Sequence, residues 1–198
     1  MRRLTRLSLG AAVLLAASAV VVAQQPAAAP TTDLYPLKAG SKWTYKVGDA
    51  QTIEVKVDAV TGGEATLTTS VNGKAVAKES VKVQADGVYR TKINESAITP
   101  PVKFLPLPPS KGASWQVDSK VQDQPIKGKF TVTADKEKTK VRDKDYDVVV
   151  VDGPDFDIAG TKTSVKYWFA PTKGVVKLSY TIAGNEAVLE LTEYTEGK

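Results

Sequence analysis

Between residues 51 and 92 apolar and polar side chains take turns with a period of two, and the runs break at glycine or asparagine. Ile53, Val55 and Val57 alternate with Thr52, Glu54, Lys56 and Asp58, and Ala65, Leu67, Thr69 and Val71 follow after Thr61-Gly62-Gly63. Successive side chains of a strand point to opposite faces, whereas a helix needs apolar spacings of three and four, so this pattern dictates half-buried strands. Asn72-Gly73 is a two-residue hairpin signal, because a type I′ turn needs positive φ at both central positions. Lys74 to Gln84 then pairs back, and Asp86-Gly87 turns the chain into Val88 to Lys92. Composition agrees: from Gln24 onward there are 22 Val and 19 Thr against 8 Leu, and β-branched side chains suit a pleated surface.

Further strands are expected at Ser114 to Val121, Ile126 to Ala134, Tyr146 to Asp152, Thr161 to Ala170, Val175 to Ile182 and Asn185 to Thr195. With five in the first half, the expectation is an all-β chain, a curved antiparallel sheet of about eleven strands. Asn94 to Ser110 holds five prolines, which remove ladder donors, so this stretch is expected to be a strap and not a strand. Its Val102, Phe104, Leu105 and Leu107 are too apolar for a solvated linker, which places the strap across the sheet. Gly40-Ser41-Lys42-Trp43 returns in the second half as Gly112-Ala113-Ser114-Trp115, each unit after a Pro-Leu pair. The halves therefore read as two duplicated meanders, 34–103 and 104–198, of a single β domain 34–198.

The stretch from Met1 to Ala29 carries three arginines and no acid, so of the formal charge of +5 only +2 remains in the rest of the chain. Arg2, Arg3 and Arg6 followed by the apolar run Leu7 to Val22 read as a signal peptide over 1–23, helical, with a cut after Ala23 and a second suitable site at Ala27-Ala28-Ala29. That apolar run is short for a span of about 20 residues, so no stable transmembrane anchor is expected. Residues 24–33 read as a disordered mature N-terminus, and the destination as periplasmic or extracellular.

The chain has no cysteine and no histidine. Disulfides, Ser-His-Asp and Cys-His catalysis and the usual zinc sites are therefore excluded. Asp143, Asp145 and Asp147 have calcium-loop spacing, but Val148 stands where that loop needs glycine and Pro154 where it needs glutamate. Asp152, Asp155 and Asp157 read as a solvated strand end. Glu186 and Glu190 alternate with Ala187, Leu189 and Leu191, on the wetter face, which argues against a glycosidase pair. Lysine supplies all but two of the basic residues after the leader, Arg90 and Arg142, and it alternates with acids, so no nucleic-acid surface is expected. Neither catalytic residues, metal nor cofactor is expected, and the chain reads as a non-enzyme.

Two motifs carry a resemblance. Tyr35-Pro36-Leu37 with Gly40-x-x-Trp43-x-Tyr45, and Tyr167 to Lys177 with its Trp168-Phe169-Ala170-Pro171 core, resemble the paired motifs of uncharacterised exported bacterial proteins of the TapB-like family. The resemblance implies a fold similar to the lipoprotein carriers, an incomplete barrel or β-clam, and brings no reaction. The chain departs from that kind of protein in having no lipid-attachment cysteine and no clear amphipathic helix to serve as a lid.

The function expected from this reading is a non-catalytic exported carrier or binding protein for a lipid or other apolar or amphipathic ligand of the cell envelope. Trp43, Tyr45, Phe104, Leu105, Trp115 and Trp168 are the candidate lining, since aromatics offer contact area with a polar tip. The alternative is a structural module in which those residues are ordinary core and the partner is an envelope protein. An interior void of about 300 Å³ or more separates the two.

Overall fold

The computed structural model describes residues 30–48 and 50–198; the expected signal peptide and most of the 24–33 segment lie outside the described residues. Twelve strands follow one another: β1 (Lys42–Val47), β2 (Gln51–Thr61), β3 (Glu64–Val71), β4 (Lys74–Gln84), β5 (Gly87–Ile93) and β6 (Ser96–Pro106). Then come β7 (Ser114–Val121), β8 (Gln124–Val141), β9 (Lys144–Ile158), β10 (Thr161–Ala170), β11 (Gly174–Ile182) and β12 (Asn185–Thr195). Each pairs antiparallel with its sequence neighbours, and β1 also pairs with β12 from Lys42↔Thr195 to Val47↔Leu189. The sheet is thus a closed up-and-down barrel of twelve strands, where the sequence pointed to an incomplete barrel of about eleven. Closure gives every strand a partner on both sides, which is the general advantage of a barrel, although the β6–β7 seam is paired over two residues only.

The added strand is the Pro-rich segment. Ser96–Pro106 is β6, not a strap, and it is tolerated because its neighbours bond it sparsely where the prolines stand. Pro100 and Pro101 face a register shift on β5 between Arg90 and Lys92. On the other side β6 meets β7 only at Ile98↔Val121 and Thr99↔Lys120. The missing N–H groups therefore cost few ladder bonds. Further along this seam the Trp115 indole N–H donates to the Lys103 carbonyl at 2.8 Å and ties β7 back to β6.

Strands that alternate in direction send their turns to two ends. The end that carries the β2–β3, β4–β5, β8–β9 and β10–β11 turns is closed by residues 30–41, which cross it before β1. Thr172 N donates to the Asp33 carbonyl at 2.8 Å, and Gly40 N to Val57 O at 2.8 Å. Tyr35 is thereby set inside the barrel, its ring 5.8 Å from Trp43, 5.6 Å from Phe104 and 6.3 Å from Phe169. At the opposite end Asn72-Gly73, Asn94-Glu95, Ala159-Gly160 and Ala183-Gly184 have positive φ at both positions, as tight hairpins require. Among the described residues no segment crosses that end.

The two Gly-x-x-Trp units have matching surroundings. Gly40 and Gly112 have φ of 84° and 86°, a conformation that favours glycine, and each donates its N–H to a buried valine carbonyl, Val57 or Val132, at 2.8 Å. The same valines donate back to Ser41 and Ala113 at 2.8 Å. Six strands follow each unit, with the boundary between the sixes after Pro106, whereas the 103/104 boundary falls inside β6.

Candidate functional site

Inward residues of the barrel are mostly apolar and outward ones mostly polar, with Trp168 and the buried Val150 an apolar pair on the outer face. Between the Tyr35 plug and the open end the inward side chains leave space. A cavity of about 420 Å³ is walled by Trp43, Tyr45, Ile53, Val71, Ala77 and Val175 among others. A second of about 260 Å³ is walled by Ile98, Val102, Ile126, Phe130, Phe156 and Val165. Arg90, Ile93, Tyr167, Leu178 and Tyr180 belong to the walls of both, so the two are lobes of one hollow. Val76 (53% exposed) and Ile158 (38% exposed) are wall residues next to the open-end turns, and Ile182 (48% exposed) ends β11 there. Exposed apolar side chains gathered at a mouth mark an entrance better than scattered ones would. A smaller cleft of about 200 Å³ lies at the closed end beside Asp33, Leu37 and Val60.

Phe156 shapes the second lobe. Its ring lies over Gly128 and Gly153, so close that a Cβ at either glycine would come within 2.5 Å of it. Phe130 packs on Phe156 with centroids 4.7 Å apart, and Trp115 on Phe130 at 5.6 Å. This row supports the wall from behind and leaves the void on the Ile98 and Val165 side.

One charged pair stands in the apolar interior. Glu79 of β4 and Arg90 of β5 lie at mid-depth, and the Arg90 Nε–H donates to Glu79 Oε2. Thr91 is the extra residue of a bulge, because Ser80 pairs with Lys92 and Val81 with Arg90. The bulge lets Arg90 and Ile93 both face inward while Lys92 stays outside. Burial opposes the charge on Arg90, but the Glu79 carboxylate and the Tyr167 and Tyr35 hydroxyls outweigh it and hold the guanidinium above the ordinary arginine range. The guanidinium lies 5.2 Å from the centroid of the Phe104 ring, a cation–π contact from the closed-end core.

Burial pushes the Tyr35 hydroxyl above the usual tyrosine value, with Glu79 adding to the effect and Arg90 opposing it. Tyr45 is also pushed well up, chiefly by burial, and its hydroxyl donates to the Val175 carbonyl at 2.9 Å. Both phenols thus stay neutral in the folded chain at pH values where the unfolded chain ionises. Above the unfolded value of about 10 the unfolded state binds fewer protons than the folded one, so stability falls as pH rises. Urea midpoints are expected to be flat up to about pH 9 and to drop above about pH 10, with Tyr35→Phe losing less than the wild type over the alkaline limb. Equal slopes in the two proteins would contradict the placement of Tyr35.

The six residues named from the sequence part into four groups. Trp43 and Tyr45 wall the larger lobe. Phe104 and Leu105 are fully buried in β6 beyond the cavity floor, in the closed-end core, so neither covers a concave face as strap residues. Trp115 bridges the β6–β7 seam. Trp168 is on the outer face: it stands opposite Lys177 and Val150 in register, with the Lys166 and Lys177 ammonium groups 5.4 and 5.5 Å from its ring. The sequence reading passed over Arg90 and Glu79, although both share the alternating positions of the inward Val88, Val81 and Val83, where a charge is out of place.

Two of the acidic residues on β9 have structural partners. Asp157 accepts from Gly160 N at 2.7 Å and pairs with Lys162 at 3.3 Å; these hold its carboxyl below the usual range. Asp152 pairs with Lys166 at 3.4 Å. Such cross-strand pairs, with Lys42–Glu54 and Lys177–Glu190, cover the outside of the barrel. A membrane-spanning barrel has an apolar outside and a polar lumen, the reverse of what is seen here.

No protein-family model matches the chain, and comparison with curated proteins finds no match. Among solved structures the chain is similar to a lipoprotein candidate of Parabacteroides distasonis, with 14% identity and a TM-score of 0.53 over 84% of this chain and 100% of the other. It is also similar to a candidate exported protein of Bacteroides fragilis described as having a YmcC-like fold, with 12% identity and a TM-score of 0.54 over 84% of this chain and 100% of that one. At such identities the likeness concerns the fold alone, and neither match carries the TapB-like kinship that the motifs suggested.

Proposed function

We propose that this chain is a non-catalytic binding protein of the bacterial cell envelope that holds an amphipathic or apolar ligand inside its barrel. One observation carries the reading: an apolar hollow, 420 Å³ in its larger lobe, closed by the Tyr35 plug at one end and rimmed by exposed apolar side chains at the other. Pockets for small ligands start at about 300 Å³, and a void lined by valine, isoleucine and aromatic side chains favours hydrocarbon over water. An envelope location is supported by the basic and apolar leader, and by the descriptions of the two fold neighbours as exported or lipoprotein candidates.

Titration with N-phenyl-1-naphthylamine, a neutral dye that fluoresces in apolar surroundings, tests this reading. Saturable enhancement at one dye per chain, competed by a long-chain amphiphile, is the expected result. A signal that stays at the buffer level, or that rises without saturating, contradicts it.

A further inference from the structure

We infer that the hollow selects an amphiphile whose head is uncharged and offers a carbonyl oxygen, an ester or an amide, over one that ends in a free carboxylate, and that this head sits against Arg90. The inference rests on the proposed ligand-holding role and adds the chemistry of the head. Arg90 is engaged through Nε, and among the described residues none accepts a hydrogen bond from its two Nη groups. The residue walls both lobes, so those donors face the hollow. Phe104 lies beneath the guanidinium and Tyr35 fills the space beyond, so the chain of a ligand runs away from the closed end, through the lobes walled by Ile93 and Leu178.

Charge decides between the heads. Glu79 already neutralises Arg90, so the pair the head meets is neutral; the remaining charged wall residue, Lys78, is exposed beside the open-end turn at Asn94. A carboxylate arriving at the Nη groups would bring a second negative charge next to Glu79 in a water-poor interior, and would lose its own hydration. A carbonyl accepts charge-assisted hydrogen bonds from the same donors without a second charge and with far less hydration to lose. Glu79 therefore acts on specificity by keeping anions out, while its hold on Nε aims Nη at the ligand.

The test compares laurate with methyl laurate at pH 8 as competitors of N-phenyl-1-naphthylamine, in the wild type and in Glu79→Gln. Methyl laurate is expected to win in the wild type by tenfold or more. In Glu79→Gln, where Arg90 is left uncompensated, laurate is expected to gain at least tenfold relative to the ester. An unchanged ratio in Glu79→Gln, or a wild type that prefers laurate, overturns the inference while leaving a ligand-holding barrel intact. Failure of both amphiphiles to displace the dye overturns both readings. A second measurement needs no variant: the infrared stretch of carbonyl-labelled methyl laurate bound to the wild type should shift to lower frequency than in hexane, and an unshifted band shows that Arg90 does not bond the head.

Discussion

Phe104→Ala is expected to lower the unfolding free energy by about 3–5 kcal/mol, a large part of the roughly 5–15 kcal/mol that keeps an ordinary domain folded. The ring is fully buried, with Tyr35, Tyr167 and Phe169 at centroid distances of 5.6, 5.9 and 6.3 Å and the Arg90 guanidinium on one face. Truncation removes that contact area, and it also leaves Tyr35 without the partner it packs against edge-on. Adding Leu105→Ala extends the damage, since Leu105 is completely buried opposite Val88, itself without exposed surface. Urea unfolding followed by far-ultraviolet circular dichroism should show the lowered midpoint. Had these two residues formed a strap over a concave face, the same changes would have left the midpoint in place and raised dye uptake. A stable double variant with enhanced dye binding would restore that picture and contradict the closed-end core.

The second large effect concerns binding. Ile93 and Leu178 wall both lobes from opposite sides of the hollow, and Ile93→Trp with Leu178→Trp puts two large rings where the lobes join. Dye affinity is expected to fall at least tenfold, which is about 1.4 kcal/mol of binding free energy. Stability should change little, because the new atoms enter a void and not a packed region where enlargement costs about 1–3 kcal/mol. The pair of outcomes matters: a variant that loses both the dye and its melting transition says nothing about the hollow, so thermal midpoint and affinity are read on the same sample. Undiminished affinity in a folded variant would mean that the dye binds elsewhere.

Local pattern revealed as much of the fold as local physics determines. Ile53, Val55 and Val57 gave the face of β2, and Asn72-Gly73 gave the β3–β4 hairpin, because period and positive φ act within a few residues. The Gly-x-x-Trp units were visible for the same reason, and their matched hydrogen bonds at Gly40 and Gly112 show what the glycines do there. Closure was not legible. It depends on pairs such as Trp43↔Tyr194, which join the first strand to the last, and their energy is shared by the whole barrel and leaves no local mark. Nor was β6 legible, since prolines argue against a ladder unless the neighbouring strands happen to shift register or part at those positions, as β5 and β7 do.

The site followed the same division. Trp43 and Tyr45 stand in the wall of the larger lobe, two residues apart on one face of β1, whereas Trp168 stands outside: alternation sets it opposite Tyr167 and Phe169 but leaves open which of the two faces points inward. The neighbouring lysines decide it: Lys166 and Lys177 belong outside, and cross-strand partners share a face. Arg90 and Glu79 carry the chemistry of the hollow and could have been found by asking which charges break the inward alternation of β4 and β5.

The central claim is that the barrel holds an amphipathic molecule inside, and native mass spectrometry of the protein purified from its exported form without organic solvent tests it most directly. The account predicts a single adduct of small-amphiphile mass at one per chain, released by collisional activation and missing from the Ile93→Trp, Leu178→Trp variant. A bare chain mass in the wild type that stays bare after incubation with methyl laurate, or an adduct equally abundant in the filled variant, would contradict it.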